Sequence, residues 1–407
     1  MLASEIFIPS RKIKYGLERT FDFLELCKNP EKNLFSVQII GTNGKGTVAA
    51  FITQILIDAG YKVGTYSSPH LVEINERIKI NNQHISDKDI KYFLNKFYKK
   101  ANKIEPSFFE LLTVMAMWYF NKKKVEIAVL ETGLGGRYDS VTACKNQILG
   151  FTPIAMDHHE ILGNTIKKIA LEKSKAIKDS QQRCISINQG KTINNILTQQ
   201  ANKSNNTISI IRHNQEKFIL KNLYGEQNQE NAQLAKRIIL ILNSMNKTRI
   251  STKNINKSIY NTQWYGRFQI LQKKPTIIYD VAHNTLSLNC FLKSFLHFTK
   301  KNLFTKKHII IAFENNKKIR TAIKKYTKHF NYITCTETNI RSSMPCQEMA
   351  KIFDNKATYN QDLEKTLLKT IKTSNVSDCI VIIGSHFIAP TINKIFKNCF
   401  VQKYKQY

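Results

Sequence analysis

Gly41-Thr42-Asn43-Gly44-Lys45-Gly46-Thr47 stands between a β-rich run, Leu34 to Ile40, and a helical stretch that continues to Ala59. Strand, glycine-rich turn and helix together can cradle a polyphosphate. The glycines let backbone N–H groups turn toward the anion, and the helix N-terminus adds partial positive charge. Lys45 can reach the β- and γ-phosphates, and Thr47 can support a phosphate or Mg2+. The spacing is a variant of G-x-x-x-x-G-K-[ST]: Gly41 and Gly44 are three apart, and Gly46 separates Lys45 from Thr47. The G-x-G-x-x-G spacing of dinucleotide sites is absent. The alternative, a tight strand-to-helix turn, gives the lysine among three glycines no packing role.

Three further motifs follow predicted strands, where ligands bind in open α/β sheets. They are Ser67-Ser68-Pro69-His70-Leu71, Glu131-Thr132-Gly133-Leu134-Gly135-Gly136-Arg137-Tyr138-Asp139 and Asp157-His158-His159-Glu160. Hydroxyl, carboxylate and imidazole from Ser68, Glu131 and His158 would suit Mg2+ carried by ATP, an ion that keeps several waters and takes few protein ligands. Singly, Ser-Pro reads as a turn, Glu131 as a surface carboxylate and the two histidines as solvated or packed. Their succession beside a phosphate loop favours a site. Lys173, in Glu172-Lys173-Ser174, reads by itself as a solvated helix lysine. Farther on come Gly266-Arg267-Phe268-Gln269 and Asp280-Val281-Ala282-His283-Asn284. Arg267 could stabilise charge on a transferred phosphoryl group. Asp280, at a strand end, could contact a ribose or act in catalysis.

The elements that must hold these residues alternate. Strands are expected at 34–40, 62–66, 125–130, 148–151, 183–187 and 207–211, with helices at 86 onward, 108–120 and 164–178. A polar, helical segment from Lys221 to Tyr265 follows. The pattern then restarts with strands at 276–279, 308–312, 332–335 and 379–383. This alternation predicts an α/β fold: a mostly parallel sheet domain of the P-loop NTPase kind, then a smaller Rossmann-like α/β domain. The boundary is placed at 268, giving domains 1–268 and 269–407.

Composition bounds the function. The 407 residues carry 62 Lys+Arg and 30 Asp+Glu, a net charge of +32. That excess raises nucleic acid or an anionic membrane as partners. Yet lysine outnumbers arginine by 51 to 11 and is spread along the whole chain, whereas arginine is the residue suited to planar phosphate and base contacts. The charge therefore reads as a solvated surface, with no nucleic-acid and no membrane partner expected. No apolar run reaches the ~18 residues of a membrane span, and Met1 to Arg19 lacks a secretory leader's apolar core. The eight cysteines form no C-x-x-C pair, so they are expected to be reduced thiols of a cytoplasmic protein.

In this order, the motifs resemble those of the folylpolyglutamate synthase family, within the Mur ligase superfamily, and in particular its bacterial bifunctional members. The resemblance runs from about residue 15 to 290, and the later β/α pattern fits the family's C-terminal domain. It implies an active site between the two domains and ATP-dependent ligation of L-glutamate to dihydropteroate and to tetrahydrofolate through an acyl phosphate, with ATP and Mg2+ as cofactors and a monomeric state. It assigns catalysis to Lys45, His158, Lys173 and Arg267. ATP falls to Thr42, Asn43, Gly44, Lys45, Gly46, Thr47, Asn231, Arg267 and Asp280. Mg2+ falls to Ser68, Glu131 and His158, and a carbamylated Lys173 helps hold a second Mg2+. Ser107-Phe108-Phe109-Glu110 and Tyr138-Asp139-Ser140 match its pterin segments.

Departures lie mainly in the second half. Gln227-Asn228 stand where the family often has His-Gln, Thr285 replaces a proline, and Asn316-Lys317-Lys318 stand where Asp-Lys-Asp is common. A Mur-type ligase with a UDP-linked substrate would need an extra N-terminal domain, yet about 35 residues precede the first strand. A polyanion-binding protein with a vestigial ATPase would need clustered arginines and aromatics.

Overall fold

The computed structural model describes residues 16–98, 100–212, 216–315, 319–338, 343–354 and 356–400. The chain divides into two units. The first extends to Lys221 and resumes over Gln227–Thr262; the second comprises Asn222–Glu226 and the chain from Gln263. The division thus falls a few residues before 268. The polar, helical segment after Lys221 consists of two helices, Glu226–Ser244 and Thr252–Asn261.

The first unit is built on eight strands: β1 (Phe35–Ile40), β2 (Val63–Tyr66), β3 (Ile78–Ile80), β4 (Gln83–His84), β5 (Ile127–Glu131), β6 (Ile148–Phe151), β7 (Arg183–Ile187) and β8 (Ile208–Ile211). Their order is β4-β3-β2-β5-β1-β6-β7-β8. From β2 to β8 the neighbours are parallel; β3 and β4 add an antiparallel edge. β1 lies at the centre and is buried beyond Phe35, as expected of a strand covered on both faces. It nevertheless carries two polar residues, Ser36 and Gln38, both buried.

The second unit holds β9 (Gln269–Lys273), β10 (Thr276–Asp280), β11 (Lys307–Ile311), β12 (Tyr332–Cys335), β13 (Ala357–Tyr359) and β14 (Cys379–Ile383). The order is β13-β12-β11-β14-β10-β9, with only β9 antiparallel. The sequence reading omits β3, β4, β9 and β13. These are short or polar strands at or near sheet edges, where burial imposes little pattern.

Helix starts follow side-chain chemistry. Ser86 accepts the Asp89 N–H to open Asp87–Phe93. Thr165 does the same for Lys168, so that helix is Ile166–Ser174, shorter than 164–178. The helix Phe108–Lys122 is buried nearly all round, and its Trp118 meets the rings of Phe93 and Phe97 in the core. Among the described residues, no helix is long and apolar enough to cross a membrane.

Candidate active site

β1 ends at Ile40, and the chain turns through Gly41–Gly44 into the helix Lys45–Asp58. Gly44 has φ +85°, and a Cβ there would lie 2.4 Å from Asn231 Oδ1. Only glycine meets both conditions without strain. Asn231, on the helix Glu226–Ser244, thereby closes on the loop, and its amide donates to Asn228 Oδ1 at 3.1 Å. The sequence assigned Asn231 to the site by resemblance alone.

The loop is braced from the segment after β6. The N–H groups of Thr42 and Asn43 donate to Pro153 O at 2.8 and 3.3 Å. Thr42 Oγ1 accepts the Ala155 N–H at 3.0 Å and lies 3.2 Å from Ala155 O. The backbone N–H groups of these two residues are thus turned to the protein. The helix's first-turn amides, at Lys45, Gly46 and Thr47, are the ones that helix geometry leaves for an anion. Lys45 Nζ folds back onto Thr42 O at 3.1 Å.

One cavity collects Gly41, Thr42, Lys45, Gly133, Leu134, Asp157, His158, Leu162 and Lys173. The solvated reading of Lys173 is corrected here: the residue is buried, and Nζ donates to Gly41 O at 2.8 Å. Burial and the nearby Lys45 ammonium pull its pKa down to about 7, against the opposing pull of Asp157 and Asp139. A buried ammonium beside a second one is costly, so a large share of the residue is neutral amine near pH 7. His158 holds a left-handed backbone, φ +47°, and its N–H donates to Asp157 Oδ1 at 3.0 Å. It lies beyond β6 in the loop that leads to a short helix, not at the strand end itself.

Glu131 ends β5, and its Oε2 accepts the Ser68 N–H at 3.0 Å. Two expected metal ligands are thereby brought together, while Lys173 and His158 share the cavity with Lys45. A carboxylate and a hydroxyl are hard oxygen donors, so the Ser68–Glu131 pair fits Mg2+. Among the described residues, no group of three or more His, Cys, Asp and Glu could hold a metal ion by itself.

The pterin-segment residues fall into two kinds. Ser107 and Glu110 cap the helix Phe108–Lys122 reciprocally, and Arg19 Nη2 donates to Glu110 Oε1 at 3.1 Å. Asp139 is buried, and its carboxylate accepts the N–H groups of Gly133, Leu134 and Val141 at 2.9, 2.9 and 3.0 Å. Burial still lifts its pKa to about 6. Ser140 Oγ pairs with Thr113 Oγ1 at 2.6 Å. Ser107, Glu110 and Asp139 thus fix backbone, and Ser140 ties to another side chain. Phe108, Phe109 and Tyr138 present rings instead. Phe109 packs so closely on Gly133 that a Cβ there would lie 2.3 Å from its ring. Arg137 lies over the exposed Tyr138 ring at 4.5 Å.

Arg77 escaped the sequence reading. It is buried, lies over the Phe108 ring at 5.3 Å and donates to His70 Nδ1 at 2.9 Å. Burial and this guanidinium push His70 down to about 4. Its neighbour Glu76 accepts the N–H groups of Leu71, Val72 and Glu73, holding the Ser-Pro-His-Leu loop.

In the second unit, Asp280 ends β10, and its carboxylate accepts the N–H groups of Phe268 and Ala282, both at 2.7 Å. Burial raises its pKa to about 6, and Arg267 is the largest opposing influence. Arg267 Nη1 donates to Gly266 O at 3.2 Å. Asn284 opens the helix Thr285–Lys301 in a reciprocal cap with Ser287, and Thr285, where the family has a proline, takes the first helical position. Asn316-Lys317-Lys318 lie outside the described residues.

This fold and loop define a class: residues 39–271, more than half of the chain, match the Mur ligase middle domain. The dihydrofolate synthase/folylpolyglutamate synthase of Bacillus subtilis (strain 168) is 31% identical over 301 residues, covering 67% of this chain and 70% of that one. The protein of the same description from Buchnera aphidicola subsp. Schizaphis graminum is 29% identical over 413 residues, 92% of this chain and 96% of its own. The chain belongs to the dihydrofolate synthase/folylpolyglutamate synthase family. The same fold occurs in the bifunctional folylpolyglutamate synthase/dihydrofolate synthase of Yersinia pestis complexed with AMPPNP and Mn ion, at TM-score 0.81 and 22% identity, over 96% of this chain and 95% of that one.

Proposed function

We infer that this chain is an ATP-dependent ligase of folate biosynthesis, joining L-glutamate to dihydropteroate and to tetrahydrofolates. The observation that carries the reading is the cavity at the phosphate loop, which Lys45, Lys173, Asp157 and His158 line together with Gly133 and Leu134.

A carboxylate is a poor electrophile until one of its oxygens becomes a leaving group. In the proposed first step, a carboxylate oxygen of the folate substrate bonds to the γ-phosphorus of ATP, the bond to the β-phosphate oxygen breaks, and ADP leaves. Lys45 and the first-turn amides hold the phosphates for this transfer. In the second step the glutamate amine attacks the acyl carbon, inorganic phosphate departs, and the amine loses a proton. Ser68, Glu131, His158 and a carbamylated Lys173 would hold Mg2+, which neutralises polyphosphate charge when bound. Lys173 suits carbamylation because much of it is neutral amine near pH 7, and the neutral amine is the form that attacks CO2. Phe109, Phe108 and Tyr138 offer ring faces for the pterin, while Asp139 and Ser140 shape the loop behind them. Arg267 and Asp280 are assigned nucleotide contacts on the same reading. A monomer in the cytoplasm is proposed.

The purified protein is to be incubated with ATP, Mg2+ and L-glutamate, with dihydropteroate in one series and tetrahydrofolate in the other. Products carrying one added glutamate are expected in both, with ADP released in equal amount. Ligation in neither series would overturn the reading. Lys45→Ala is expected to lower the rate on the order of 100-fold or more.

A further inference from the structure

A buried polar network lies under the Gly133–Gly136 loop and starts in β1, the strand that feeds the phosphate loop. Gln38 Nε2 donates to Thr132 Oγ1 at 3.0 Å and to Thr142 Oγ1 at 2.9 Å. Its Oε1 accepts from Asn146 Nδ2 at 2.9 Å. Thr142 Oγ1 donates onward to Gly136 O at 2.7 Å. Asn146 Nδ2 also donates to Val141 O at 2.8 Å, and its Oδ1 accepts from Ser36 Oγ at 2.8 Å. All five side chains are buried.

The directions are fixed by chemistry. The Thr142 proton is spent on Gly136 O, so its oxygen must accept from an N–H. The Asn146 amide nitrogen must meet an oxygen. Gln38 therefore has one amide orientation that satisfies all of them, and turning it over would break its contacts to Thr142 and Asn146. A central strand filled by aliphatics would bury such a face more cheaply, whereas a fully satisfied polar network fixes one geometry.

We propose that Gln38 is a positioning residue for the ligase reaction: its two-pronged bond to Thr132 and Thr142 sets the loop that begins at Glu131 relative to the phosphate loop. Thr132 directly follows Glu131. Thr142 holds the carbonyl of Gly136, four residues after Thr132. Between them lie Gly133 and Leu134, whose place in the cavity the network and Asp139 fix together. The inference goes beyond the proposed function, which assigns Gln38, Thr132 and Thr142 nothing, and rests on that function only for its kinetic test.

The test compares the wild type with Gln38→Leu, Thr142→Val and Thr142→Ser. Hydrogen exchange at the Gly133, Leu134 and Val141 amides is read first, because it does not depend on which reaction the protein catalyses. Exchange is expected to quicken about tenfold or more in Gln38→Leu and Thr142→Val, and Thr142→Ser, which keeps the hydroxyl, is expected to restore it. With dihydropteroate, kcat is expected to fall about 10- to 100-fold while KM for dihydropteroate and glutamate changes less than about threefold. The double variant Gln38→Leu/Thr142→Val should be no slower than the worse single one, as for two members of one unit.

Unchanged exchange in folded variants, unchanged kcat despite faster exchange, or additive losses would each overturn the proposal. If Gln38→Leu does not fold, the Thr142→Val and Thr142→Ser pair decides it. Absence of ligation by the wild type would refute the functional reading and leave the exchange test standing.

Discussion

Lys173 Nζ donates to the carbonyl oxygen of Gly41 at 2.8 Å, joining residues 132 positions apart. A lysine on the helix Ile166–Ser174 thus closes on the residue that opens the phosphate loop. The bond accounts for a buried lysine and places a weakly basic amine next to Lys45.

The first prediction concerns that amine. Its pKa of about 7, against about 10.4 for an ordinary lysine, means that its neutral fraction rises through pH 7. Activation by added bicarbonate should therefore increase with pH across that range. Lys45→Ala removes a neighbouring positive charge and should move the Lys173 titration upward, observable with 15N- or 13C-labelled lysine by NMR. Activity of Lys173→Ala should be recovered in part by short-chain carboxylic acids, and full activity without them would exclude an essential role.

Gly44→Ala should damage both folding and nucleotide binding. The new Cβ meets Asn231 Oδ1 at 2.4 Å and sits on a backbone at φ +85°. Strain of about 1–3 kcal/mol is expected, read as a lower midpoint in denaturant. Calorimetry should show weakened ATP binding. Unchanged affinity would mean the loop does not contact the nucleotide.

Asp139→Asn should destabilise the first unit by about 1–3 kcal/mol. The carboxylate satisfies three backbone N–H groups with two oxygens, and an amide turns an N–H toward at least one of them. The sign with pH follows from its raised pKa, about 6. The stability this group contributes is complete below its unfolded value near 3.9 and is lost as pH rises through about 6. The cost of the substitution, from denaturation curves, should therefore be larger near pH 4 than near pH 7.5.

Glu131→Gln should separate metal binding from folding. The amide oxygen can still accept the Ser68 N–H that Glu131 Oε2 now accepts, so the melting temperature should move little. The Mg2+ concentration for half-maximal ligation should rise about tenfold or more, since ligand and outer-shell losses at metal sites commonly cost at least that. An unchanged Mg2+ dependence would remove Glu131 from the metal set.

Much of this was legible in the residues. β1, β5, β6 and β7 lie where short, largely apolar runs stand, because buried parallel strands leave little choice of residue type. The motifs at their ends could be named before any coordinates. The burial of Lys173 could not be read, since a Glu-Lys-Ser stretch on a helix carries no local mark of what packs above it. The roles of Ser107, Glu110 and Asp139 as backbone braces were hidden for a related reason: hydrogen-bonding side chains look alike in sequence whether they face ligand or N–H groups. Gln38 and Ser36 did leave a signal, two polar residues inside an otherwise apolar central strand.

The contact between Gly44 and Asn231 has a consequence for how the protein is made. The loop needs a residue 187 positions later, and the first unit also needs the helices up to Thr262. At synthesis rates of about 5–20 residues per second, the gap from Gly44 to Asn231 is some 10 to 40 s of translation. A nascent chain stalled before Gln227 would carry the whole glycine loop, braced by Pro153, Ala155 and Lys173 but without Asn231 against Gly44. It should bind no ATP until the ribosome has released that helix.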